Sequence, residues 1–273
     1  MNDTTIKNQW NDRGYVVVPQ LLSAARVEEL RELCDGILEK WIQESPFPEK
    51  AANSTNMAFL TEPRYFTQHP EQLNILLSAI ADRNIFTVLD CIFDGKPLFH
   101  NTQYFFNPAS YTRSGDWHRD QQFGAPDEET EKLRMQNTVG IHVHIAFLPD
   151  DNLEYVPGSH VRWDTPEELE IRKGLNGKKK NLPEMPNATR IHLDAGDAVF
   201  FSAWGIHRGN YIADLPRRTF DAIYSTSPDW YTPPPRCFIQ PGVLNNLTPL
   251  AQTFFGRFID TYKDKWLKGE YNA

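Results

Sequence analysis

Two stretches decide how this chain is read: Gly115-Asp116-Trp117-His118-Arg119-Asp120 and, much further along, Phe200-Phe201-Ser202-Ala203-Trp204-Gly205-Ile206-His207. In an extended strand the side chains at i and i+2 point to the same side, so His118 and Asp120 can reach one ion together. His207 then supplies a second imidazole. Two imidazoles and one carboxylate on one face of a metal leave the opposite face open, the arrangement used in non-haem Fe(II) chemistry.

The rest of the chain sets the context for that trio. With 273 residues, 40% of them hydrophobic and 12% aromatic, it is long enough to bury a large core as one domain. A net charge of −8 argues against nucleic acid or an anionic membrane as the main partner. The polar start, Met1-Asn2-Asp3-Thr4-Thr5, does not read as a secretory signal, so none is expected, and no apolar run is long enough to span a bilayer. Cys34, Cys91 and Cys237 form neither a close pair nor a zinc spacing, so reduced thiols in a cytoplasmic protein are expected.

Gly14-Tyr15-Val16-Val17-Val18-Pro19 reads as a strand ended by proline. Ser23 then caps a helix whose apolar positions run Val27, Leu30, Leu33, Cys34, Ile37, Leu38 and Trp41. Residues 45–65 read as loop, and Gln72 to Leu89 has helical periodicity. Beyond residue 97 the chain turns to short apolar runs at Leu98–Phe106, Thr138–Leu148, Thr189–Leu193, Ala198–Trp204 and Arg218–Tyr224. Such spacing suggests a closed or double-layered antiparallel β architecture. The expected organisation is one domain over 1–273. It has a helical flank at about 20–95, a β core at about 97–240 and a C-terminal helix at about 249–268 that buries Phe254, Phe255, Phe258, Tyr262 and Trp266.

Arg217 and Arg218 follow His207 after a turn marked by Pro216. An arginine there can clamp a carboxylate through two parallel hydrogen bonds. Alternation along a strand turns only one of them inward; Arg218, which shares a face with Phe220 and Ala222, is favoured over Arg217.

Several further fragments stand in order: Tyr104-Phe105-Phe106-Asn107-Pro108, Tyr155-Val156-Pro157-Gly158-Ser159-His160 and Leu193-Asp194-Ala195-Gly196-Asp197-Ala198-Val199-Phe200-Phe201. With the opening strand, the His-x-Asp segment, His207 and Arg218, the set resembles the phytanoyl-CoA dioxygenase family of Fe(II)- and 2-oxoglutarate-dependent oxygenases, from about residue 10 to 225. The resemblance implies a mainly β fold with flanking α-helices, built on a double-stranded β-helix (jelly-roll, cupin-like) core. It implies Fe(II) held by His118, Asp120 and His207, with 2-oxoglutarate and O₂ as co-substrates and Arg218 on the distal carboxylate. It also places Gln103 against the co-substrate and His144 where relatives carry a pocket-facing aromatic. Asn107 stands where lysine is common, and the turn at Asp150-Asp151-Asn152-Leu153 is shorter than in relatives, so the departures touch substrate identity rather than reaction type.

The expected activity is hydroxylation of an unactivated C–H bond of a small molecule, releasing succinate and CO₂, by a monomer or homodimer. Halogenating relatives lack the carboxylate that Asp120 supplies. The competing readings are a cupin-type isomerase or 2-oxoglutarate-independent dioxygenase, which requires no cationic clamp at that position, and a non-catalytic metabolite-binding domain, against which the intact trio speaks. His142 and His144 share one strand face, and for His142 a satisfied core histidine is the default. His160 reads as a turn anchor. Residues 164–188 form a long polar insertion with Arg172, Lys173, Lys178, Lys179 and Lys180. It is expected to be a lid that orders over the iron, its cations favouring an anionic substrate.

Overall fold

The strand Tyr15–Val18 (β1) lies on the edge of a six-stranded antiparallel sheet, reached through a helix the sequence reading does not anticipate, Asp3–Arg13 (α1). That helix is almost wholly polar and buries only Ile6, so it has no apolar stripe to betray it. Its ends are nonetheless well defined. The Asn2 side chain accepts the Thr5 amide at 2.9 Å, and Gly14 closes the helix at φ +79°. The computed structural model describes residues 2–93, 95–226 and 242–268. Cys237 and residues 227–240 of the expected core lie outside the described residues, while Cys34 and Cys91 are free thiols.

After β1 come Ala24–Glu44 (α2), Pro48–Ala52 (α3), Asn56–Ala58 (β2), Pro70–Ile80 (α4) and Arg83–Ile92 (α5). The stretch 45–65, expected to be loop, thus contains a helix and a strand, both too short to show a period. Then follow Leu98–Phe105 (β3), Arg113–Ser114 (β4), Glu128–Asn137 (α6), Gly140–Ala146 (β5), Asp150–Tyr155 (β6), Pro166–Lys173 (α7), Thr189–Leu193 (β7), Ala198–Ser202 (β8), His207–Tyr211 (β9), Thr219–Ser225 (β10) and Pro249–Leu267 (α8). Ser23 caps α2 as its sequence position suggests, and Thr165 caps α7. Helix α8 buries the five aromatics expected of it.

The larger sheet runs β1-β8-β5-β10-β3-β2 and the smaller β4-β9-β6-β7, every pairing antiparallel, in the layout of a double-stranded β-helix. Alternation gives the larger sheet two faces. Val143, Ile145, Phe200, Phe220, Ala222 and Tyr224 point outward into the main core, against residues of α2, α4, α5 and α8. The inner face carries Gln103, His142, His144, Phe201 and Asp221, which all line one cavity between the sheets. Among the described residues no helix is long and apolar enough to cross a membrane.

At the junction of α1 and β1 space is tight. A Cβ on Gly14 would lie 2.5 Å from the His160 ring and 2.6 Å from the Tyr155 hydroxyl. His160 also meets Trp10 edge to face at 6.3 Å, so it anchors the N-terminal helix, as its place in the turn suggests. Gly14→Ala therefore combines left-handed strain of about 1–2 kcal/mol with a clash against the half-buried His160 ring and the buried Tyr155. We expect a loss of about 3 kcal/mol in denaturant unfolding; an unchanged midpoint would show that the turn relaxes freely.

Candidate active site

His118 and His207 are paired through their backbones. The His118 amide donates to the His207 carbonyl at 3.0 Å, and the His207 amide returns the bond at 2.9 Å. This isolated bridge brings the two rings to 4.3 Å between centroids. Asp120 follows in a 3₁₀ turn whose amide is tied to the Ala203 carbonyl at 3.0 Å. One ligand atom from each of His118, Asp120 and His207 lies within 4.8 Å of the other two.

The ring tautomers suit a metal. His118 Nδ1 sits 2.8 Å from the Asp116 carbonyl, and His207 Nδ1 3.0 Å from that of Gly205. A carbonyl can only accept, so each Nδ1 carries a proton and each Nε2 is turned toward Asp120, at 3.3 Å and 3.5 Å. Burial pushes His207 down to about 4, which leaves it neutral. Burial opposes charge on His118 too, but the bond to Asp120 outweighs it and lifts that ring above the ordinary histidine value. Burial also disfavours the Asp120 anion, yet His207, His142 and His118 hold its carboxyl well below the usual range. A divalent cation placed here would take over the neutralising role of that His118 proton. Two imidazole nitrogens and a carboxylate within this span fit an Fe(II) ion with open positions.

The cavity of about 240 Å³ that begins at this trio is lined further in by Asn56, Gln103, Phe105, His144, Tyr211 and Arg217. Arg217, not Arg218, faces it. Its guanidinium carbon lies 5.4 Å from the Phe105 ring centre and 5.2 Å from that of Tyr211. Nε bonds Asp150 at 3.0 Å, and Nη1 the Asn210 carbonyl at 3.4 Å. The Thr219 hydroxyl donates to the same Asp150 oxygen at 2.7 Å. Arg217, Thr219 and Asp221 share the inner face, whereas Arg218 points outward and pairs with Asp35 of α2. The expectation for Arg218 is corrected for a plain reason. Phe220 and Ala222 belong to the face that packs on the helices, so the residue in phase with them faces away from the cavity.

His144 is 3% exposed, and among the described residues neither ring nitrogen has a hydrogen-bond partner; Nε2 lies 3.6 Å from Asp150. Gln103 accepts from the Asn56 amide at 3.1 Å. Sequence reasoning passes over Asn56, Asp150, Tyr211 and Asp221. It treats His142 as core, whereas that ring sits between Asp120 at 3.0 Å and Asp221 at 2.6 Å. Two carboxylates draw protons onto both ring nitrogens, and despite burial they push His142 up to about 10.

The insertion 164–188 does not reach the cavity. None of its residues lines the cavity, and it is docked against the far side of the metal loop. The Trp117 amide and indole donate to the carbonyls of Lys180 and Leu182 at 2.8 and 2.9 Å, and Arg208 donates to those of Leu182 and Pro183 at 2.6 and 2.7 Å. Fully buried Arg172 spans Asp164 and Glu131, and Lys173 also pairs with Glu131, so neither cation is available to an anionic substrate. Asp164 in turn holds Arg119, which stands between the two ligands of the His-x-Asp turn and bonds the carbonyls of Ser159 and Trp204.

The description "Phytanoyl-CoA dioxygenase (PhyH)" fits the chain over residues 10–212, through all three candidate metal ligands. The chain belongs to the phytanoyl-CoA dioxygenase family of Fe(II)- and 2-oxoglutarate-dependent oxygenases. No curated protein matches it by sequence. Among solved structures it is similar to the α-ketoglutarate-dependent carbocyclase SnoK of nogalamycin biosynthesis, at TM-score 0.55 and 19% identity, covering 90% of each chain. It is also similar to EctD from S. alaskensis with 2-oxoglutarate and 5-hydroxyectoine, at TM-score 0.57 and 16% identity over 82% of this chain and 76% of that one. The epimerase SnoN from the nogalamycin route gives TM-score 0.54 and 17% identity over 81% and 80%. At these identities the likeness is one of fold.

Removing the carboxylate that ties the insertion to the metal loop provides a test. Asp164→Ala removes the carboxylate that pairs with Arg119 and one of the two that pair with Arg172, both arginines being fully buried. Breaking such a network costs about 3–5 kcal/mol, read as a lower midpoint in denaturant unfolding. A change below about 1 kcal/mol would mean that the pairs contribute as little as exposed ones do.

Proposed function

We propose that this protein is an Fe(II)- and 2-oxoglutarate-dependent dioxygenase that hydroxylates an unactivated C–H bond of a small molecule. The observation that supports it most is that the facial trio and the Arg217 guanidinium line the same cavity. His118, His207 and Asp120 hold the metal, and Arg217 receives the far carboxylate of the 2-oxo acid. Iron and the 2-oxo acid supply, when bound, an oxidant made from O₂ by oxidative decarboxylation, with succinate and CO₂ released.

The chain's own groups do the rest. Asp150 and Asn210 fix one edge of Arg217, while its Nη2 makes no hydrogen bond among the described residues and stays available to a carboxylate. Phe105 and Tyr211 hold the guanidinium plane between them, which limits its swing. His144 offers a buried ring nitrogen to the same ligand. Phe105, Leu153 and Phe201 give the cavity apolar walls that exclude water. An isomerase needs no cation at the Arg217 position, and a mere binding domain needs no His118–Asp120–His207 trio.

Solved structures titled as an epimerase and a carbocyclase share the fold, so the outcome at carbon needs its own assay. Small molecules that stimulate succinate release should yield products heavier by one oxygen atom, labelled from ¹⁸O₂. Products of unchanged mass, or lighter by two hydrogens, would replace hydroxylation by epimerisation or ring closure.

The co-substrate assignment is tested without oxygen. Adding Fe(II) and then 2-oxoglutarate to the protein should produce the visible charge-transfer band of a chelated 2-oxo acid. His118→Ala and His207→Ala should lose both iron binding and the band. Arg217→Ala should keep iron but need at least about 30-fold more 2-oxoglutarate, since an unpaired buried charge costs roughly 2–5 kcal/mol. Arg218→Ala should titrate as the wild type does. If Arg218→Ala alone shows the shift, the clamp assignment is wrong.

A further inference from the structure

We propose that His142 is a positioning residue for the metal-binding carboxylate: held from behind by Asp221, it occupies one oxygen of Asp120 and leaves the other to the ion. The inference rests on the reading of His118, Asp120 and His207 as an iron centre.

A carboxylate can meet a cation through one oxygen or two, and each mode leaves a different number of positions open. The two oxygens of Asp120 have different neighbours. Oδ1 faces His118 Nε2 at 3.3 Å, whereas Oδ2 lies 3.0 Å from His142 Nε2 and 3.5 Å from His207 Nε2. An oxygen that an N–H approaches at this distance has less electron density to give a metal. His142 therefore favours a one-oxygen Asp120, which preserves open positions for a chelating co-substrate and O₂.

His142 is itself rigidly placed. Its Nδ1 lies 2.6 Å from Asp221 Oδ2, and Asp221 is 1% exposed. The strand register explains the contact. His142 lies opposite Ile223 and His144 opposite Asp221, so His142 and Asp221 are diagonal neighbours on the inner face. Phe201, opposite His142 on the other side, stacks on the imidazole at 4.8 Å and 16°. The ring can neither rotate nor retreat without losing one of these contacts.

A core histidine with no part in metal binding would matter only to stability, and the test separates the two roles. His142→Gln keeps an N–H that can reach Asp120. His142→Phe/Asp221→Asn keeps the stack on Phe201 but removes the donor, and no buried charge is left stranded. Each protein is titrated anaerobically with Fe(II), then with 2-oxoglutarate, after its thermal midpoint has been measured. The double variant should bind Fe(II) about 10–100-fold more weakly than wild type, the range seen when groups that orient metal ligands are removed. Its charge-transfer band should also shift. His142→Gln should stay within about threefold of wild type, below the smallest of those losses. The proposal is overturned if the double variant binds iron like wild type with an unmoved band. It is equally overturned if His142→Gln loses as much affinity as the double variant, because the donor would then be irrelevant. Should wild type bind Fe(II) yet give no band with 2-oxoglutarate, the co-substrate reading fails, while the iron affinities still decide the role of His142.

Discussion

Everything at the site depends on the two amide bonds exchanged by His118 and His207. They join the end of a loop to the first residue of β9, so ligands far apart in sequence share one position in space. A reciprocal pair of this kind fixes the Cα–Cα separation at about 5.5 Å and turns both side chains to the same face. The remaining degrees of freedom are closed by carbonyls: Asp116 and Gly205 set the ring tautomers, and Ala203 holds the Asp120 turn. The metal geometry is thus written mostly in the backbone, and the side chains complete it.

Around that frame lies a series of buried ion pairs, each with a distinct positional task. Asp164 links Arg119 of the metal loop to Arg172 of α7; Asp150 fixes Arg217; Asp221 fixes His142. Buried pairs gain little net stability because desolvation offsets their attraction. Their value here is orientation. A guanidinium held at Nε by Asp150 presents its terminal nitrogens in one direction, and an imidazole held at Nδ1 by Asp221 presents Nε2 to one oxygen. The insertion 164–188 belongs to the same scheme. Its length and lysines suggest a lid, but its carbonyls satisfy Trp117 and Arg208 at the back of the metal loop.

How far the sequence could be read follows from which interactions are local. His118-x-Asp120, His207 and the short apolar runs are readable because a strand's period exposes them. The same holds for α2 and α8, whose apolar stripes are long. Helix α1 and α6 are polar, and β2 is three residues long, so none has a period to detect. Asp150-Asp151-Asn152 has turn-type composition yet forms β6, because Asp150 answers Arg217 and Thr219 across the barrel. Arg218 shows the deeper difficulty. Alternation correctly separates the two arginines, but an apolar face on β10 suggests the inner one and is in fact the outer one. In a barrel that holds polar ligands and packs its outside on helices, the inner face is the polar one, so Thr219 and Asp221 mark it rather than Phe220 and Ala222.

The central claim is that one ion at the His118–Asp120–His207 trio and one carboxylate at Arg217 share a cavity. Crystals grown anaerobically with Fe(II) and 2-oxoglutarate test it most directly, through anomalous scattering at the iron edge. The account requires a single iron peak per chain, bonded to Nε2 of His118, Nε2 of His207 and one oxygen of Asp120. The distal carboxylate of the 2-oxo acid should lie on Arg217. An iron peak elsewhere, an ion held by only one of the three residues, or a carboxylate seated on Arg218 would contradict it.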